Sequence, residues 1–398
     1  MKIPRRLCAA LAGLVFYIAG FLKIIDPAGA TLVVDSYLSF FHLGFLTSVS
    51  GFIAEVLALA ETFTGLALLC GVYRHIAAKT AFALTALFTA VTLLLVIFNP
   101  DIDCGCFGQA IKLTHTQTFI KNLILLFFLC VAFIPFREQE EPGRAKVFFK
   151  STGVFLLALA VYSLMFLPLR DFTPFSSGSR LFDAAKASSF VPAEPLFVYE
   201  KGGFKKEFDL DHLPDSTWTF VGTHERGPVS PSGTEALVSV SNAAGEVCDS
   251  VLLEGRVIAF CVHSPGSLSE SAWHGIAEAV SASSEAGFTP ALLLASSPED
   301  AENILGELPT DDRLRLMLPL YFGDHKTLLT LVRSNGGAVY IANGLVVDKW
   351  SRLGMPSALR FKELSSRQPV AAMMDKSING RIVMDATILL TVLVALFL

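Results

Sequence analysis

The chain has 398 residues, 53% of them hydrophobic and only 17% charged, with a mean hydropathy of +0.56. That composition is too apolar for an ordinary soluble protein and reads as mostly membrane protein. A net charge of -5 and the lack of any long basic run give no footing for nucleic acid as a partner.

In chain order, Met1 to Arg6 is basic and leads into an apolar run from Leu7 to Leu22. A signal peptide has this shape, but no small-x-small cleavage site follows and the run continues past Lys23 to Ile25, so an uncleaved span is expected. Further runs are Phe52 to Cys70, Thr80 to Phe98, Phe119 to Phe136, Ser151 to Leu169 and Ile382 to Leu398. Each suffices for a helix to cross roughly 30 Å of hydrocarbon, giving six expected spans. Lys2, Arg5 and Arg6, then Arg74 and Lys79, then Arg137, Arg144, Lys146 and Lys150 all fall on one side if each run crosses once, and basic loops stay cytoplasmic. The connections Lys23 to Gly51 and Asn99 to Thr118 therefore face outward. Within the first of these, Leu32 to Val49 is aromatic and amphipathic enough to lie in the interface, or is plain loop.

Seven cysteines cannot all pair. Cys8, Cys70 and Cys130 lie in apolar runs, where a thiol behaves as a small hydrophobe. Cys104 and Cys106 sit one residue apart on the expected outer side, where disulfides persist. A bridge between them closes a very small ring that needs a cooperative backbone, and Gly105 is the residue best able to bend. Strained, exposed disulfides are oxidising and labile, so the pair reads as a redox site, against a static bridge. Asp101 and Asp103 disfavour a nearby thiolate unless Lys112 or His115 offsets them. Glu55 and Glu61 lie inside the second span, where acids face the bundle interior. Glu61 reads as a proton acceptor or packing anchor, or as a carboxyl bonded to a neighbouring helix. Lys23 and Asp26 snorkel or pair at the outer end of the first span. No spacing of histidines or cysteines forms a metal site.

Composition turns polar at Arg170. The expected division is 1–136, a four-span bundle; 137–170, a cytoplasmic loop and fifth span; 171–247, an outer linker or subdomain; 248–370, an α/β domain; and 371–398, a last span. In the α/β part, strands are expected at Gly255 to Val262 and Thr289 to Leu294, with helices at Ser269 to Ser283, Pro298 to Leu308 and Thr327 to Arg333. A hairpin of Ala338 to Ala342 with Leu345 to Trp350 turns at Asn343-Gly344, and a helix over Pro356 to Leu364 closes the run. Cys248 and Cys261 are expected to bridge, or else to be a substrate pair for Cys104 and Cys106.

Phe16-Tyr17-Ile18-Ala19-Gly20 leading to Asp26-Pro27, Glu61 with Gly65, Asn99-Pro100, Cys104-Gly105-Cys106-Phe107-Gly108 and Thr118 to Asn122 together resemble the DoxX/MauE-type four-helix membrane proteins, over about a third of the chain. The resemblance implies a redox-associated membrane protein, MauE being linked to disulfide formation in an exported dehydrogenase during methylamine utilisation. The methylamine part is not carried over, since nothing here indicates that substrate. Neighbouring families pass electrons between thiols and quinone, which makes quinone the cofactor implied. The strand-helix order of 248–370 resembles a thioredoxin-like domain. Where such an enzyme carries Cys-x-x-Cys this chain has His263 to Leu268, with no cysteine, and glycines stand in Arg333 to Gly337 where its cis-proline belongs.

The fold class expected is thus a helical membrane bundle, DoxX/MauE-like with two further spans, bearing an outer thioredoxin-like α/β domain. The function expected is thiol–disulfide exchange for exported proteins at the bacterial inner membrane, by a candidate oxidoreductase using Cys104, Cys106 and Glu61, with an exported client or redox partner. The alternative is a non-catalytic scaffold or assembly factor whose outer domain binds exported clients.

Overall fold

The computed structural model describes residues 2–136, 143–181, 195–201, 204–208, 218–225 and 238–373. The expected sixth span, Ile382 to Leu398, lies outside them.

The bundle begins with α1 (Lys2–Ile25), α2 (Pro27–Phe40), α3 (Ser50–Cys70) and α4 (Arg74–Phe98). After the short strand β1 (Cys106–Gln109) come α5 (His115–Phe133) and α6 (Gly143–Met165). All of these helices except α2 are long and apolar enough to cross a membrane. Large side chains such as Ile97, Phe98, Phe127 and Val154 point outward, as lipid-facing positions do. Small residues let α1 and α3 pack backbone to backbone. A Cβ on Gly65 would stand 2.3 Å from the Tyr17 nitrogen, so only glycine fits. The α5 start is fixed by a capping box, Thr114 accepting from the Gln117 amide and Gln117 accepting from the Thr114 amide.

Arg5 and Arg74 meet the C-terminal end of α5. Arg5 Nε donates to the carbonyls of Val131 and Ala132 at 3.2 and 3.1 Å, satisfying the last turn of α5, and Arg74 stands 5.6 Å from the Phe133 ring centroid. At the other end, where a surface segment or loop was expected, Asp26 caps a true helix. Its Oδ1 accepts from Gly29 N at 3.0 Å, and Pro27 occupies the first helical position. This α2 starts before Leu32, and buries Gly29, Ala30, Leu32 and Leu38.

The α/β domain holds β5 (Val240–Ser241), β6 (Arg256–Val262), α7 (Glu270–Glu285), β7 (Thr289–Leu294), α8 (Pro298–Gly306) and α9 (Thr310–Arg315). It continues with β8 (Leu320–Gly323), α10 (His325–Leu331), β9 (Gly337–Ala342), β10 (Leu345–Trp350) and α11 (Ala358–Ser366). The mixed sheet runs β10-β9-β6-β7-β8-β5, with β6, β7 and β8 parallel and β9, β10 and β5 antiparallel to their neighbours. β6 is central and buried from Val257 onward, as its unbroken apolar run requires. On one face Phe260, Trp273, Ile276, Tyr340 and Phe361 form the core. Asn343 and Gly344 both take positive φ, 48° and 73°, the geometry of a tight hairpin turn. The elements absent from the sequence reading are β5, α9 and β8, all short.

The segment beyond α6 ties this domain to the bundle. Beyond α6, Lys349 Nζ meets Asp171 Oδ2 at 2.6 Å, and Gly178 and Ser179 exchange backbone bonds with Val346. Separately, residues 180–238 form a compact unit of their own, whose strands β2 (Pro195–Lys201), β3 (Phe204–Phe208) and β4 (Thr219–Glu225) make an antiparallel sheet ordered β3-β2-β4.

Candidate functional site

The loop after α4 is pinned before it reaches the cysteines. His115 Nε2 lies 3.0 Å from the Ile102 carbonyl and its Nδ1 3.4 Å from Asn99 Oδ1. Cys104, Gly105 and Cys106 then pass beside α2. Gly105 has φ +55°, and a Cβ there would fall 2.2 Å from Val33 Cγ1, so glycine is required by both backbone and neighbour. The Tyr37 hydroxyl donates to the Cys104 carbonyl. The Lys121 ammonium stands 5.0 Å from the centroid of the Phe107 ring.

All seven cysteines are free thiols. Cys104 is buried, at 4% exposure, whereas Cys106 is partly exposed. Burial pushes the Cys104 thiol above its ordinary range; Cys106 and Asp103 add to this, while Thr118 and Lys121 oppose it. The cation that offsets the acids is thus Lys121, which the sequence reading overlooked. Lys112 is 4.0 Å from Asp103 with both side chains in solvent, and His115 braces the loop instead.

Both cysteines line a cavity of about 170 Å³ inside the bundle. Its walls include Phe16 and Lys23 from α1, Tyr37 from α2, Glu61 from α3, Phe88 and Thr92 from α4, and Lys121 and Asn122 from α5. Glu61 faces this space and not lipid, with Lys23 Nζ 2.6 and 2.8 Å from its two oxygens. The pair balances two charges in the bundle interior, where either alone would be costly. Asn122 Nδ2 donates to Thr92 Oγ1 at 3.3 Å. Glu55, the other acid of α3, does not line the cavity and neither of its oxygens has a hydrogen-bond partner among the described residues. Lys121 and Tyr37 are the site residues missed: an intramembrane lysine is itself a signal, whereas nothing local marks Tyr37.

The bridge expected between Cys248 and Cys261 is not made. Cys261 is sealed within β6, its thiol pushed up to about 12 by burial against the opposing pull of Lys349. Cys248 hangs from β5 through a hydrogen bond from its backbone N–H to the Val240 carbonyl, and β7 and β8 lie between. Three strand spacings of about 4.8 Å exceed the Cα separation of about 7 Å that a disulfide tolerates. Beyond β6 the chain turns through His263 and a 3-10 turn at Pro265–Ser267, with no thiol. Among the described residues no three His, Cys, Asp or Glu are grouped to hold a metal ion.

These features define a class: a multi-pass membrane protein with a thiol-bearing loop at one end of its helical bundle and an α/β domain with a mixed sheet following it. Residues 1–135 match the family described as methylamine utilisation protein MauE, so the bundle contains a MauE-type membrane domain. Residues 193–226 match a domain of unknown function, DUF8463. Protein TlpB of Flavobacterium psychrophilum is 28% identical over 90 residues, 23% of this chain and 24% of that protein, so the match spans about a quarter of that curated relative. No solved structure matches the chain.

Proposed function

We propose that the protein carries out thiol–disulfide exchange for exported proteins at the bacterial inner membrane, with Cys104 and Cys106 cycling between dithiol and disulfide on the periplasmic face. The observation that carries this reading is that both thiols open on one apolar cavity inside the bundle. Charge supports this side: Arg5 and Arg74 stand at the opposite end, and basic ends stay in the cytoplasm.

Exposure divides the labour. A client thiolate attacks the Cys106 sulfur of the oxidised pair, the Cys104–Cys106 bond breaks, and Cys104 leaves as thiolate beside Lys121. The client's second thiolate then attacks its own sulfur in the mixed disulfide, releasing Cys106 and completing the client bridge. The reduced pair must pass on two electrons and two protons. The cavity suits a lipophilic two-electron acceptor of the quinone class: aromatic walls at Phe16 and Phe88 match a flat ring, and Lys121 and Asn122 stand ready to donate to ring oxygens. A quinone held there would supply oxidising equivalents from the membrane pool. Glu61, held by Lys23, is the group on the wall able to take a proton.

The scaffold reading draws on one observation, the absence of cysteine in the turn after β6, and within the exchange reading that domain binds clients without reacting. Acid-quenched thiol trapping in growing cells separates the two. Exchange predicts both redox forms of the pair and, in Cys104→Ser, a mixed disulfide on Cys106. A pair never found reduced or joined to a client leaves the scaffold.

A further inference from the structure

The α/β domain reaches into the thiol site at Arg333. Arg333, in the turn between α10 and β9, places Nη2 3.1 Å from Asp26 Oδ2 and 2.7 Å from Gln109 Oε1. The side chains of Arg333 and Asp26 are each only 4% exposed. Both partners belong to supports of the cysteine loop. Asp26 caps α2, the helix whose Val33 presses on Gly105 and whose Tyr37 holds the Cys104 carbonyl. Gln109 ends β1, the strand that begins at Cys106. A single guanidinium nitrogen therefore joins the element that fixes one thiol to the element that carries the other.

As a brace the contact is poor. Arg333 Nε and Nη1 are buried with no hydrogen-bond partner among the described residues, and a buried ion pair with unmet donors adds little net stability. Its geometric consequence is specific, because a bridge between residues two apart forms only within a narrow range of backbone geometry.

We propose that Arg333 is a positioning residue for the Cys104–Cys106 pair, by which the turn before β9 of the α/β domain sets how readily that pair closes. The inference rests on the exchange reading above. With the tie cut, α2 and β1 shift independently, the two sulfurs spend less time within reach, and the disulfide becomes easier to reduce.

The test uses the full chain in native membrane vesicles equilibrated with glutathione buffers, reading the peptide that carries Cys104 and Cys106 by differential alkylation and mass spectrometry. The double variant Asp26→Asn/Arg333→Met removes both charges at once and keeps the α2 cap, since an asparagine oxygen still accepts from Gly29 N. Its midpoint [GSH]²/[GSSG] is expected to shift at least threefold toward easier reduction. Arg333→Lys, which keeps the charge, should stay within twofold of the unaltered chain. Gln109→Leu cuts only the β1 side of the tie and should move the midpoint in the same direction, so it decides the matter if the double variant does not fold. Should the unaltered pair titrate while the variants match it, the positioning role is overturned and exchange stands. Should the unaltered pair form no disulfide in any buffer, both fall.

Discussion

Gly105 shows how one residue can carry a site. Its φ of +55° strains any side chain, and Val33 leaves a Cβ no room. Gly105→Ala should cost about 1–3 kcal/mol of local stability and abolish trapping of the client adduct; adding Val33→Ala should recover part, because the clash goes and the backbone strain remains. Glu61 is a different kind of residue, stable only in company. Glu61→Leu leaves the Lys23 ammonium buried alone, which should cost about 3–5 kcal/mol, seen as a lower aggregation temperature in membranes. Glu61→Leu with Lys23→Met should restore that temperature without restoring turnover of the pair if the carboxyl moves the proton. His263 gives a pH dependence. Burial first, then His325 and Arg333, push its imidazole down from 6.5 to about 4. Folding therefore releases a proton between these values, and the stability contributed by neutral His263 is full above pH 6.5 and lost as pH falls toward 4. Thermal melts should fall over that window by up to about 1.4 kcal/mol per pH unit, and His263→Leu should flatten the slope.

Among elements, the membrane helices were plain from their apolar runs because a helix satisfies its own backbone bonds in lipid and needs only length and hydrophobicity. The fifth begins earlier than expected, at Gly143, since its first turns pack on the bundle and Ala145 joins the core there. The α1–α3 contact depends on Gly65. Gly65→Val should part the two helices, shift Glu61 from Lys23 and lower the melting temperature by several degrees, where the same change at Gly143, whose Cβ would meet open space, should not. The central strands and the Asn343-Gly344 hairpin of the α/β domain were legible from unbroken apolar runs and turn chemistry. β5, with two residues, and β8, with four, were not: segments so short carry no period, and only partners across the sheet make them strands.

At the scale of the molecule, the domain and bundle are joined by two ion pairs far apart in sequence, the buried Arg333 with Asp26 and the partly buried Lys349 with Asp171. Burial works against charge on Asp171, yet Lys349 and the bonds from Thr173 hold its carboxyl below the usual range. Asp171→Asn should weaken the hold on the Lys349 ammonium and loosen the domain by about 1.5–3 kcal/mol, read as faster protease cleavage near residues 170–180.

What the amino-acid order determined by itself is what depends on neighbours in sequence: the spans, their basic ends, the paired thiols flanking a flexible residue, and the strand-helix rhythm of the later domain. Tertiary structure alone decided that Tyr37, Glu61, Lys23 and Lys121 meet those thiols around one cavity, that Cys248 and Cys261 stand apart, and that Arg333 reaches Asp26 across 307 positions. The reason is that hydrophobicity and turn preference are written locally, whereas the meeting of distant side chains is settled only when helices and sheet have packed.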